Sequence, residues 1–109
     1  MGNTLQSLGV NNIAITKTTE VDQIEVVGSY KHVQVRTATV IKEDDKELSR
    51  SFNRKVVSCG YLTGNDNTFV NRDISGESPE VQGICNSVWN DTIRANWKES
   101  LIKNLPQVN

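Results

Sequence analysis

Few residues in this chain have the types that make chemistry. His32 is the single histidine, so a histidine-based triad has one base available. That base falls on the polar side of an alternating stretch, beside Gln34, where it reads as a surface residue rather than a catalyst. No HExxH, CxxC or glycine-rich phosphate loop occurs, so the common zinc and phosphate chemistries have no anchor. Asn65, Asp66, Asn67 and Asp73 could offer oxygen ligands to calcium. Their spacing lacks the alternating ligands, central glycine and terminal glutamate of an EF-hand loop, and turns use the same residue types. Cys85 falls on an apolar stripe and reads as a small buried hydrophobe. A disulfide between Cys59 and Cys85 stays open, although two cysteines make no framework. The expectation is a protein that is not an enzyme, with no metal and no cofactor.

Recognition chemistry is better represented. From Lys31 to Val57 the chain carries seven basic and four acidic residues. Arg50 and Arg54 alternate with apolar positions, so their stems can cover apolar surface while their heads reach water. The functional alternative is contact with phosphate or with an acidic patch on a partner. No interleaved aromatics suggest base stacking, so nucleic acid is not expected. Trp89 and Trp97 stand eight apart, as core residues or as interface anchors, a role in which tryptophan is enriched. Trp89, Ile93, Trp97 and Leu101, flanked by Arg50 and Arg54, are the candidate interface residues.

A long amphipathic stretch positions the tryptophans. Ser78 is a natural N-cap, Pro79 suits the first helical position, and Glu80 and Lys103 complement the two ends of the helix dipole. Pro106 stops the segment. Apolar residues recur every four positions at Val81, Cys85, Trp89, Ile93, Trp97, Leu101 and Leu105. At about 3.6 residues per turn, each step of four overshoots by roughly 40°, so the stripe winds around the axis. Such a helix must be wrapped by its own chain or meet a second surface. Asn90-Asp91-Thr92 offers a break, being poor helix formers and good caps. The preferred reading is one continuous C-terminal helix from Ser78 to Leu105.

Strands position the arginines. Residues 1–12 show no periodicity and read as an N-terminal arm. Two short alternating strands are expected over 12–18 and 22–28, with a bend between them. The stretch from Tyr30 to Lys42 is rich in Val, Thr and Ile, which suit a half-buried pleated surface. Glu47 to Ser58 returns from it after a polar turn. A two- or four-residue loop there would set Ile41 opposite Leu48, Thr37 opposite Phe52 and Val33 opposite Val56. A slip of one residue would turn all of these to the other face. Residues 58–77 form the longest irregular stretch, in which 61–63 and 68–70 could pair as a small hairpin. The expected fold is α+β: an antiparallel β-meander of three to four strands with the helix packed on it, as one domain over 13–109.

Bulk properties exclude several classes. The 109 residues are 36% hydrophobic, with a mean hydropathy of −0.46, enough for a small core. The net charge of −1 implies no strong global attraction to nucleic acid or membrane. No apolar run approaches the ~20 residues that cross a bilayer. The opening MGNTLQSLGVNN lacks the basic and apolar regions of a signal peptide, and the chain reads as made in a cytoplasm.

The run VVGSYKHVQVRTATVIKEDDKELSRSFNRKVV, followed by DISGESPEVQGICNSVWND, resembles a family of small proteins of tailed phages of aquatic bacteria. The resemblance spans roughly residues 22–102 and rests on VQVRTATVIKED, ELSRSF and the helix start SPEVQGICNSVW. It brings no active site to transfer. It implies a virion component such as a capsid decoration, neck or tail protein, made in the host cytoplasm, whose partners are other virion proteins and copies of itself. The alternative expectation is a small monomeric phage-encoded binding module or regulator of a host protein.

Overall fold

The computed structural model describes residues 4–8 and 13–106, with side chains from residue 14 onward. The fold is α+β. Strands β1 (Thr4–Leu8), β2 (Ile13–Val27), β3 (His32–Glu43) and β4 (Lys46–Val57) form one sheet in the order β1-β2-β3-β4. Neighbours in the sheet are neighbours in the chain, and tight turns join β2 to β3 and β3 to β4, so the sheet is an antiparallel meander. Strands β5 (Gly60–Leu62) and β6 (Phe69–Asn71) form a separate antiparallel hairpin. Two helices follow, α1 (Pro79–Val88) and α2 (Asp91–Lys103). The chain divides into two compact units, Met1–Ile24 with Val35–Lys55, and Glu25–Gln34 with Val56–Asn109.

The continuous C-terminal helix expected from the sequence is corrected to two helices. Trp89 leaves helical geometry at φ −94°, ψ 92°, and Asn90 caps α2 by accepting a bond from the Ile93 amide at 2.8 Å. The winding stripe supplies the reason. A straight helix would carry its apolar residues steadily around its axis, and a break resets the phase. In α1, Val81 and Cys85 are buried; in α2, Ile93, Trp97 and Leu101 are half-buried. The start of α1 is as the sequence implies: the Ser78 hydroxyl accepts from the Val81 amide at 3.3 Å, and Pro79 opens the first turn.

Two further differences concern strands. Thr4–Leu8, within the expected arm, pair with β2 in register from Thr4↔Lys17 to Leu8↔Ile13. The rest of that arm, 1–3 and 9–12, lies outside the described residues. The two short strands expected over 12–28 are one strand of fifteen residues. The bend expected at Thr19, Glu20 and Val21 contains no glycine or proline, and its Thr and Val are β-branched, so nothing there favours leaving extended geometry.

In the first unit, Asp44 and Asp45 form a two-residue hairpin loop with φ of 49° and 67°. Positive φ at both centres is the turn whose twist matches the flanking strands, and aspartate tolerates it. Asp44 also ties this turn to β2: its amide donates to the Ala14 carbonyl at 3.0 Å, and its Oδ1 accepts from the Ala14 amide at 3.3 Å. Burial along β3 alternates through Val33 and Val35, then resumes at Ala38 and Val40, with Arg36 and Thr37 both half-buried. The buried side of β3 thus changes between Val35 and Ala38. The expected pairing of Ile41 with Leu48 follows from the two-residue loop. Val33 is fully buried while Val56 is 61% exposed.

In the second unit, Val33, Val57, Cys59, Val81, Cys85 and Trp89 are buried. The β5–β6 hairpin pairs Tyr61 with Val70 and Leu62 with Phe69, as the sequence implies. Gly60 is required there by close approach: an added Cβ would stand 2.5 Å from the Val70 carbonyl oxygen and closer still to the Phe69 ring.

Candidate protein interface

Strand β4 ends the sheet, and every residue from Lys46 to Val56 is exposed. The two-residue turn makes Glu43 and Lys46 the closing hydrogen-bonded pair of the hairpin. Even-numbered residues of β4 therefore aim their amides and carbonyls at β3. Odd-numbered ones, Glu47 to Lys55, aim theirs away from it, because the two kinds alternate along a strand. The side chains on the even face are Leu48, Arg50, Phe52 and Arg54, with Leu48 at 52% and Phe52 at 45% exposure. Both candidate arginines thus lie on an edge strand, between exposed apolar neighbours.

A charge network supports this face. Arg36 grips Asp22 with two bonds, Nε to Oδ1 at 2.9 Å and Nη2 to Oδ2 at 2.8 Å. The same guanidinium lies 4.3 Å from the Phe52 ring centroid. One arginine thus joins β2, β3 and β4. The hydrogen bond from Arg36 holds the Asp22 carboxyl below its ordinary value of 3.8, and Asp22 in turn raises Arg36. Arg50 binds Glu47 in the same forked way, at 3.2 Å and 2.9 Å, and that bond lowers the Glu47 carboxyl. Residues three apart on a strand point to opposite faces. The Glu47–Arg50 pair therefore reaches around the outer edge of β4, over Leu48 and Ser49.

The four helical candidates belong to the second unit. Trp89 is 4% exposed, and its Nε1 donates to the Lys31 carbonyl at 2.7 Å. The Trp97 Nε1 donates to the Gly60 carbonyl at 2.9 Å. Its ring meets His32 edge-on at 4.6 Å and Tyr30 at 5.1 Å. Ile93 and Leu101 are half-buried. Both tryptophans therefore spend their polar atoms on their own chain, as buried aromatics do. The structure brings Arg50 and Arg54 together on one strand and the helical four together in another unit. The sequence reading counts Arg36 in the basic hairpin and places Phe52 on the face of Arg50 and Arg54, and it misses the part Asp22 plays in joining to Arg36. The signal present is the shift from odd to even apolar positions between Val35 and Ala38.

The remaining chemistry-bearing groups are occupied structurally. His32 is packed against Tyr30 and Trp97, and its Nδ1 is buried with no hydrogen-bond partner among the described residues. Cys59 and Cys85 are free and buried, and burial pushes both thiols up. Asp66 accepts from the Thr63 hydroxyl and from the Thr68 amide, and Asp73 accepts from the Ser75 amide at 2.9 Å. Those bonds within their own turns hold both carboxyls low. Among the described residues no group of three or more His, Cys, Asp or Glu could hold a metal ion. A cleft of ≈ 300 Å³ is lined by Ser29, Tyr30, Asn96, Glu99, Ser100 and Lys103, most of them exposed surface side chains. No helix of the described chain is long and apolar enough to cross a membrane. Comparison with protein-family models, with curated proteins and with solved structures finds no match.

Proposed function

We propose that this chain is a non-catalytic structural protein that works through protein–protein contacts at the outer edge of β4, as a component of a phage virion. The observation that carries the reading is the state of β4: twelve residues at a sheet edge, with Leu48 and Phe52 exposed beside Arg50 and Arg54. An open edge offers unmet backbone donors and acceptors to another chain. A strand added there gains affinity from main-chain bonds and specificity from the alternate side chains. The sequence resemblance to small tailed-phage proteins supports the virion as the setting, and the capsid surface, neck and tail are all built by such contacts.

The test is the protein composition of purified particles of the encoding phage. The reading expects the chain at a fixed ratio to the major structural proteins, and reduced incorporation when Arg50 and Arg54 are both changed to Glu. Absence from washed particles would overturn it and favour a small monomeric regulator of a host protein. Full incorporation of the doubly reversed variant would remove the basic edge from the reading.

A further inference from the structure

We infer that β4 pairs antiparallel with β4 of a second copy of this chain, about a two-fold axis at Ser51. The inference rests on the reading of β4 as a contact edge and names the occupant. A two-fold interface is self-complementary, so each residue faces a partner that faces it in return. An axis normal to the sheet keeps each side chain on its own face, so the axis must pass through a residue position. That leaves few registers, and charge decides among them.

An axis at Arg50 sets Arg50 against itself and Lys46 against Arg54. An axis at Phe52 sets Arg50 against Arg54 twice. Like charges directly opposite are destabilising. An axis at Ser49 or Asn53 avoids these clashes but shortens the paired length and forms no opposite-charge pair. An axis at Ser51 pairs nearly the whole strand. On the odd face Glu47 meets Lys55, Ser49 meets Asn53 and Ser51 meets itself. On the even face Arg50 lies over Phe52, a cation–π arrangement, and Leu48 packs on the stem of Arg54. The odd residues also have the outward-pointing amides and carbonyls, so the polar row supplies the main-chain bonds.

In the single chain Glu47 is held by Arg50, with the two side chains 42% and 37% exposed. Exposed ion pairs hold little stability, so this strap over the edge opens readily. It guards the edge against indiscriminate pairing, a common use of edge charge, and releases Glu47 to Lys55 of the second copy, which exchanges its own contact within the chain in the same step. One strand pair is a small interface, so the dimer is weak and reversible.

The test uses two charge reversals, Glu47→Lys and Lys55→Glu, with sedimentation equilibrium over a wide concentration range. The wild-type chain is expected to dimerise as concentration rises. Each variant alone sets like charges opposite twice per dimer and is expected to associate at least about tenfold more weakly. An equimolar mixture of the two variants restores both opposite-charge pairs, so it is expected to regain wild-type association as a heterodimer. The mixture also separates lost pairing from misfolding, since misfolded chains would not recover. A wild-type chain that stays monomeric, variants that associate as the wild type does, or a mixture that fails to recover would each overturn the inference. A monomer that is nonetheless built into particles would sink the self-pairing and leave the virion reading intact; a dimer absent from particles would do the reverse.

Discussion

Both units leave apolar residues at the surface, Val26, Val27, Val56, Tyr61 and Ile102 in the second and Leu48 and Phe52 in the first. The second turns its tryptophans onto its own chain, whereas the first sets its exposed pair among basic residues on an edge strand. In the second, Val81, Cys85 and Trp89 are buried by a helix that breaks at Asn90, and each tryptophan ring nitrogen finds a carbonyl of its own chain. In the first, Val35, Ala38 and Val40 are buried, yet Leu48 and Phe52 lie open on the neighbouring strand, between arginines. The two patterns come from similar residues in different settings. A tryptophan on a capped helix has partners from several elements, whereas a strand at the end of a sheet has a neighbour on one side only. The tryptophans that look most like interface anchors therefore stabilise the chain, and the less conspicuous Phe52, like Tyr61 in the second unit, is presented to solvent.

Substitutions can break that contrast, and the largest effect is expected in the second unit. Trp89→Ala should cost about 3–5 kcal/mol in denaturant unfolding, because it empties a buried site and strips the Lys31 carbonyl of its donor. Gly60→Ala should cost about 1–3 kcal/mol, since its Cβ would collide with the Val70 carbonyl and the Phe69 ring. Asn90→Ala should cost about 1 kcal/mol through the lost cap of α2, and Asn90→Ser should recover most of it. Phe52→Ala should cost about 0.5–1 kcal/mol, chiefly the contact with Arg36. A loss at Phe52 as large as that at Trp89 would erase the contrast.

Acid sharpens the comparison within the first unit. Asp22 titrates below its ordinary value because Arg36 binds its charged form. A carboxylate depressed in the folded state stabilises above its unfolded value, and that contribution is lost as pH falls through the folded value. Stability from this pair should be full above about pH 5 and should fall as the pH drops below the ordinary 3.8. Asp22→Asn should flatten that part of the acid unfolding profile; an unchanged profile would mean that the Arg36 fork contributes nothing.

Much of this architecture was legible in the residues themselves. The β-rich stretches around Val33 and Phe52, the polar turn between them and the Ser78-Pro79 helix start all follow from local chemistry. So does the small hairpin around Asn65. What was not legible depends on tertiary context. Thr4–Leu8 lack the alternation of a half-buried strand and become β1 through their pairing with β2. The break at Asn90 had its caps in view, but choosing it required knowing that a straight helix could not keep its stripe buried. The change of buried side was written in the shift from Val35 to Ala38, yet the place of Arg36 between Asp22 and Phe52 was not. The assignment of the arginines to an edge strand needed the strand order, which no periodicity carries.

The central claim is that the outer edge of β4 is open in the single chain and is the surface through which the chain associates. Residue-resolved amide hydrogen exchange on the wild-type protein, dilute and then concentrated, tests it most directly. In dilute solution the amides of Leu48, Arg50, Phe52 and Arg54 should exchange slowly and those of Ser49, Ser51 and Asn53 quickly. At high concentration the second set should become protected while the first is unchanged. Slow exchange of Ser49, Ser51 and Asn53 in dilute solution, or association that protects another surface and leaves them fast, would contradict the account.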